Sequence, residues 1–252
     1  MRFINLLWLV PFGFVIGSIL NHLADTLPRI RRIPLNPQCI KCGQTFDIYN
    51  YIILSRCHHC SVLPSNRRYI VLLISVICFP IIYFFPPDLT GWIIAFIVFS
   101  YLGLVFIIDF EHRLILHPVS LIGAVLFLTI GIFLNGWKVT LLGALSGFGL
   151  MYILYLFGIL FGKVMAKRRG QEIEEIALGF GDVTLSTILG LLLGWPRIGV
   201  VLFFAIIFGG VFSGLFLLIS VLAKKYRAFT AIPYAPFIII SSIILIYFST
   251  GK

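Results

Sequence analysis

The sequence predicts an all-α polytopic integral membrane protein, with about eight transmembrane helices and a cytoplasmic zinc-knuckle-like loop. Three observations predict it: an extreme apolar composition, a series of uncharged runs long enough to cross a bilayer, and one polar insert carrying paired Cys-x-x-Cys units. The 252 residues are 60% hydrophobic and only 11% charged, with a mean hydropathy of +1.10. Soluble domains carry about a quarter charged residues and cannot hide this much apolar surface. Composition therefore excludes a soluble enzyme and makes the bilayer the solvent.

Crossing roughly 30 Å of hydrocarbon takes about 20 apolar residues in a helix. Runs at 4–24, 70–86, 91–109, 114–134, 139–163, 178–195, 198–223 and 231–249 reach or approach that length, the second and sixth being short. The first run is expected to be a retained span. It has a single charge ahead of it, Arg2, and no small-x-small cleavage site before Asp25.

Charge orients these spans. Most of the 19 Lys and Arg fall on one side: Arg29, Arg31, Arg32, Lys41, Arg56, Arg67 and Arg68 after the first run, Arg113 after the third, Lys163, Lys167, Arg168 and Arg169 after the fifth, and Lys224, Lys225 and Arg227 after the seventh. Only Arg2, Lys138, Arg197 and Lys252 fall on the other. Positive loops stay inside, so the 25–69 loop is expected in the cytoplasm and both termini outside. The net charge of +10 is thus a topology signal rather than a nucleic-acid signal.

Two acids stand out against this background. Asp109 closes the run 95–108, and Asp182 sits in Gly179-Phe180-Gly181-Asp182 ahead of the run 183–195. A carboxylate costs about 2.5–3.5 kcal/mol near the middle of a membrane helix, so one placed there points to function. The charge-derived orientation, which uses neither residue, puts both at the cytoplasmic ends of their spans. Two carboxylates in one low-dielectric site share a proton, which suits one to activate water and the other to polarise a carbonyl. Gly179 and Gly181 allow backbone to approach a substrate closely. A single such acid is more often a helix cap or a solvated end, and a transporter also uses intramembrane acids as proton sites.

The polar insert holds Cys39-Ile40-Lys41-Cys42 and Cys57-His58-His59-Cys60. This spacing comes close to a tetrahedral four-thiolate zinc site, and metal binding would fold a loop too polar to build a core. Disulfides are the alternative, but cytoplasmic thiols stay reduced. Cys78, within the second run, reads as packing.

Taken in order along the chain, these residues resemble the prepilin peptidases, the type IV prepilin leader peptidases of the bacterial inner membrane. Gly17-Ser18-Ile19-Leu20-Asn21 with Leu27-Pro28, the two cysteine pairs, Arg68-Tyr69, the segment Asp109 to Ile115, Gly179-Phe180-Gly181-Asp182 and Ile232-Pro233-Tyr234-Ala235-Pro236-Phe237 carry the likeness. The last is similar to the family's Ile-Pro-Phe-Gly-Pro-Phe. The resemblance implies a bacterial Gly-x-Gly-Asp aspartic endopeptidase with Asp109 and Asp182 as catalytic pair, Gly179 and Gly181 in the active-site motif, and Cys39, Cys42, Cys57 and Cys60 holding structural zinc. It implies type IV prepilins or pseudopilins of type II secretion as substrates, cut after a leader glycine at the cytoplasmic face of the inner membrane. It divides the chain into 1–69, a membrane helix with the cysteine loop, and 70–252, the peptidase domain. Many members also N-methylate the new terminus with S-adenosylmethionine.

Departures fall on both parts. Thr26 stands where arginine is usual, Leu73 where an acid commonly follows Arg-Tyr, and the loop between the cysteine pairs is short; these bear on methylation. Leu116 and Thr184 replace a proline and a lysine near the two aspartates, and neither removes a carboxylate. Glu111 and His112 read as interfacial polar residues. The run Glu172, Glu174 and Glu175 reads as a solvated loop, with attraction of a basic leader as the sharper alternative. Two other functions use the same acids: a presenilin-type intramembrane protease, disfavoured by Ile108 before Asp109 and by the cysteine loop, and a proton-coupled transporter, which leaves the knuckle unexplained.

Overall fold

The structure, a computed structural model, describes residues 2–30, 37–39, 41–45, 47–52, 54–57, 59–169, 179–223 and 233–249. Arg31, Arg32, Ile40, His58, Glu172, Glu174, Glu175, Lys224, Lys225, Arg227, Ile232 and Lys252 lie outside the described residues, as do the side chains of Arg2, Arg29, Arg168 and Arg169. Among the described residues all regular structure is helical: α1 Arg2–Ile30, α2 Ile48–Ile52, α3 Asn66–Phe84, α4 Gly91–His112, α5 His117–Asn135, α6 Trp137–Arg169, α7 Phe180–Leu193, α8 Arg197–Leu222 and α9 Ala235–Phe248.

The chain is a polytopic membrane protein. Among the described residues, six helices are long and apolar enough to cross a bilayer: Leu7–Pro28 within α1, then α3, α4, α5, Trp137–Val164 within α6, and α8. The remaining two expected spans, α7 and α9, hold 14 helical residues each, about 21 Å at 1.5 Å per residue. Local chemistry explains their length. α7 stops at Gly194, whose φ of 72° suits glycine, and α9 begins with a proline in its first turn.

The chain forms two compact units, Met1–Ile108 and Asp109–Lys252, divided within α4. In the first, α1 packs on α3 through small residues. A Cβ added at Gly13 would lie 2.9 Å from the Ser75 carbonyl oxygen, and one at Gly17 would lie 3.0 Å from Ser75 Cβ. Membrane helices approach this closely only where a side chain is missing. Leu9, Phe79, Ile82, Ala95 and Phe96 form the apolar core beside this contact, with the Phe79 and Phe96 rings 4.9 Å apart.

In the second unit α7 is the buried centre: Val183, Leu185, Leu189, Leu192 and Leu193 have no exposed surface. It is set against α6 by glycines. A methyl group at Gly143 or Gly147 of α6, or at Gly190 of α7, would collide with the facing helix's backbone, and Ser186 Oγ donates across to the Gly147 carbonyl at 3.1 Å. At the far end of α7, Asn135 Nδ2 donates to the Leu192 carbonyl at 2.9 Å and Arg197 donates to Asn135 Oδ1 at 2.7 Å. The outward faces of α5 and α8 stay apolar, with Leu121, Phe133 and Phe203 exposed. Water would penalise that surface, and lipid does not.

Candidate active site

Asp109 lies in the last turn of α4, and Asp182 in the first turn of α7. α4 ends where Arg113 takes a left-handed φ of 53° and its amide donates to the Asp109 carbonyl at 2.8 Å. This bend sends Leu114 and Ile115 toward the start of α7. There Gly181 makes room for them: a Cβ at Gly181 would sit 3.0 Å from Ile115 Cβ. Gly179 precedes α7 as its N-cap, its N–H donating to Asp182 Oδ2 at 3.3 Å, which satisfies one of the helix's free amides.

The two aspartates are brought into one compact unit in this way. Both are buried, Asp109 5% and Asp182 7% exposed, and Asp182 is within electrostatic reach of Asp109. Asp109 Oδ2 is buried with no hydrogen-bond partner among the described residues. A buried carboxylate oxygen without a donor is costly in a finished fold and useful in a site that awaits water or substrate. Glu111 and His112 pair with each other at 3.8 Å and stay about one-third exposed, as expected of interfacial polar residues.

The four loop cysteines form a second site. Their sulfurs all lie within 4.8 Å of one another, Cys39 being 3.5 Å from Cys60 and Cys42 3.6 Å from Cys57. Tetrahedral zinc with bonds near 2.3 Å needs sulfur–sulfur edges of about 3.8 Å, so the donor set and its spacing fit a metal ion. Two matching turns build it. The Gly43 amide donates to the Cys39 carbonyl at 2.9 Å, and the Ser61 amide to the Cys57 carbonyl at 2.8 Å. Gly43 and Ser61 both adopt positive φ, 71° and 51°. Burial pushes the Cys39 thiol up, but the Cys42 and Lys41 amides outweigh it and bring it down to about 6. The Cys60 and His59 amides lower Cys57 likewise. Cys60 is pushed up to about 12, the lowering by the Val62 amide being overcome by burial and the neighbouring sulfurs. A dication would favour the thiolate at all four.

Sequence reasoning passed over one polar cluster in the first unit. Asp25, buried in α1, accepts from Tyr51 Oη at 2.8 Å, from Arg68 Nε at 3.1 Å and Nη2 at 2.7 Å, and pairs with Arg67. The Arg68 guanidinium also lies 4.4 Å over the Tyr51 ring, and Asn21 Nδ2 donates to the Arg68 carbonyl at 3.1 Å. This cluster ties α1, the cysteine-loop helix α2 and the start of α3 together. An acid at the end of an apolar run, the signal that singled out Asp109, was present at Asp25 too.

Comparison with known proteins agrees with the motifs. The model of the type IV leader peptidase family matches residues 93–214, from α4 into α8, and so includes both aspartates. Among curated proteins, a prepilin leader peptidase/N-methyltransferase of Legionella pneumophila is 27% identical, covering 94% of this chain and 88% of that protein. No solved structure matches.

Proposed function

We propose that this chain, whose residues 93–214 match the model of the type IV leader peptidase family, is an aspartic endopeptidase that removes the basic leader of type IV prepilins or pseudopilins at the cytoplasmic face of the bacterial inner membrane. The observation that carries this reading is that Asp109, in the last turn of α4, and Asp182, in the first turn of α7, are both buried and within electrostatic reach. Support also comes from the curated relative, whose printed name is that of a prepilin peptidase.

The chemistry follows from two acids sharing one proton. The ionised carboxylate takes a proton from water as the water oxygen bonds to the scissile carbonyl carbon. The protonated carboxyl hydrogen-bonds the carbonyl oxygen as it gains charge. Collapse of the tetrahedral intermediate breaks the C–N bond, and a carboxyl proton passes to the leaving amine. No covalent enzyme intermediate forms. Gly181 lets Ile115 and α7 close on each other, which holds the second acid beside the first.

The cysteine set is assigned structural zinc, held by Cys39, Cys42, Cys57 and Cys60, which would fix a loop that has little apolar core of its own. In this assignment residues 1–69 form an N-terminal domain of one transmembrane helix and the cysteine loop, and 70–252 the transmembrane peptidase domain. S-adenosylmethionine enters only if the N-methyltransferase activity named for the relative is retained. The test is incubation of membranes carrying this chain with a type IV prepilin, read by mass spectrometry. Loss of the leader after its glycine is expected, and any added methyl group appears in the same spectrum. A prepilin left intact, or cut inside its apolar helix, would overturn the assignment.

A further inference from the structure

We propose that Tyr234 is a third catalytic residue of the aspartate site, its hydroxyl donating a hydrogen bond to the scissile carbonyl oxygen. This rests on the peptidase reading above. Tyr234 is the residue before α9, in the same compact unit as both aspartates. Its hydroxyl oxygen is buried and has no hydrogen-bond partner among the described residues. Leaving such a group unpaired is costly, and in native folds it is met by protein, water or a bound group.

The ring is held in place by its surroundings. Gly209 of α8 leaves space for it, since a Cβ there would lie 2.9 Å from Tyr234 Cε2, and the Phe237 ring packs at 6.2 Å. Asp182 is within electrostatic reach of the hydroxyl, and Asp109, within reach of Asp182 in turn, also carries a buried oxygen with no hydrogen-bond partner among the described residues. Asp182 is thus within electrostatic reach of both the Tyr234 hydroxyl and Asp109, and those two groups carry the unmet hydrogen bonds that a peptide carbonyl and a water would fill.

Packing alone does not call for this hydroxyl, because the ring meets Gly209 and Phe237 through carbon atoms only. When water adds to the carbonyl, the C=O π bond becomes a C–O⁻ bond, and a neutral phenol pointed at that oxygen strengthens its hydrogen bond as charge develops. When the C–N bond breaks, the carbonyl re-forms and the phenol keeps its proton.

The experiment compares Tyr234→Phe with the unaltered full chain in steady-state cleavage of a prepilin, with Asp182→Asn run alongside. Tyr234→Phe keeps the ring against Gly209, so the thermal melt should not move. A roughly 100-fold lower kcat with little change in KM is expected, the loss typical of one oxyanion donor. Unchanged kcat in Tyr234→Phe, or a change confined to KM, overturns the role of Tyr234 while leaving the aspartates standing. Retained cleavage in Asp182→Asn instead overturns the peptidase site itself.

Discussion

Asp25 shows how much one buried carboxylate organises. It receives Tyr51, Arg67 and Arg68 together, so Asp25→Asn would leave two guanidinium groups largely buried without a counter-charge. Removing one partner from a buried ion pair costs about 3–5 kcal/mol. A loss of that order is expected in the denaturation of purified Asp25→Asn protein, and an unaltered melt would show that water, not Asp25, carries the pairing. The residue was visible in the sequence as an acid at the end of the first apolar run, but its partners were not. Arg67 and Arg68 read as loop charges that set topology, because nothing local announces that Asn66-Arg67-Arg68 forms the first turn of α3. That turn exists where distant Asp25 draws it in. The catalytic candidates were easier: each aspartate interrupts an apolar run at its end, and its chemical cost is written in its neighbours.

Helix contacts decide whether those acids can cooperate. α7 holds Asp182 in its first turn and is fixed one turn later by Ser186 and Gly190 against Gly147 and Gly143. A side chain at Gly190 must push the helices apart, and a 1 Å misplacement of a catalytic group can cost about 100-fold in rate. Gly190→Leu is therefore expected to lower prepilin cleavage by about that factor. Gly149→Leu on α6, where nothing lies within 4 Å, should cleave normally. Equal activity in both would mean that α7 is positioned by something other than close backbone contact. Hydropathy found every long helix, yet the run 178–195 overestimated α7, which ends at Leu193, and the run 114–134 overlooked the extended Leu114–Leu116 that precedes α5. An apolar stretch does not reveal where a helix stops inside it; the glycine at 194 and the proline at 118 do, once their conformations are known. The short helix α2 in the cysteine loop was invisible because five residues are too few for periodicity to register.

Two compact units share this chain, one carrying the thiol site and one carrying the paired acids. If the four sulfurs hold a metal ion that folds their loop, stripping it with a chelator should expose the thiols. Faster alkylation of Cys39, Cys42, Cys57 and Cys60 after chelation is the expected readout, with Cys78 in α3 as internal control; rates indifferent to chelation would count against a resident metal. The class of the molecule was plain from composition because lipid-facing surface demands it, whereas the nearness of the two acids needed the fold: they stand far apart in sequence, and the Gly181–Ile115 contact after the Arg113 bend brings their segments together. Cooperation of Asp109 and Asp182 is tested most directly by prepilin cleavage in membranes carrying Asp109→Asn, Asp182→Asn and the double variant, each inserted at the same level. Both single variants are expected to fall to background and the double to fall no further, because the acids act as one unit. Substantial cleavage by either single variant would contradict a shared site.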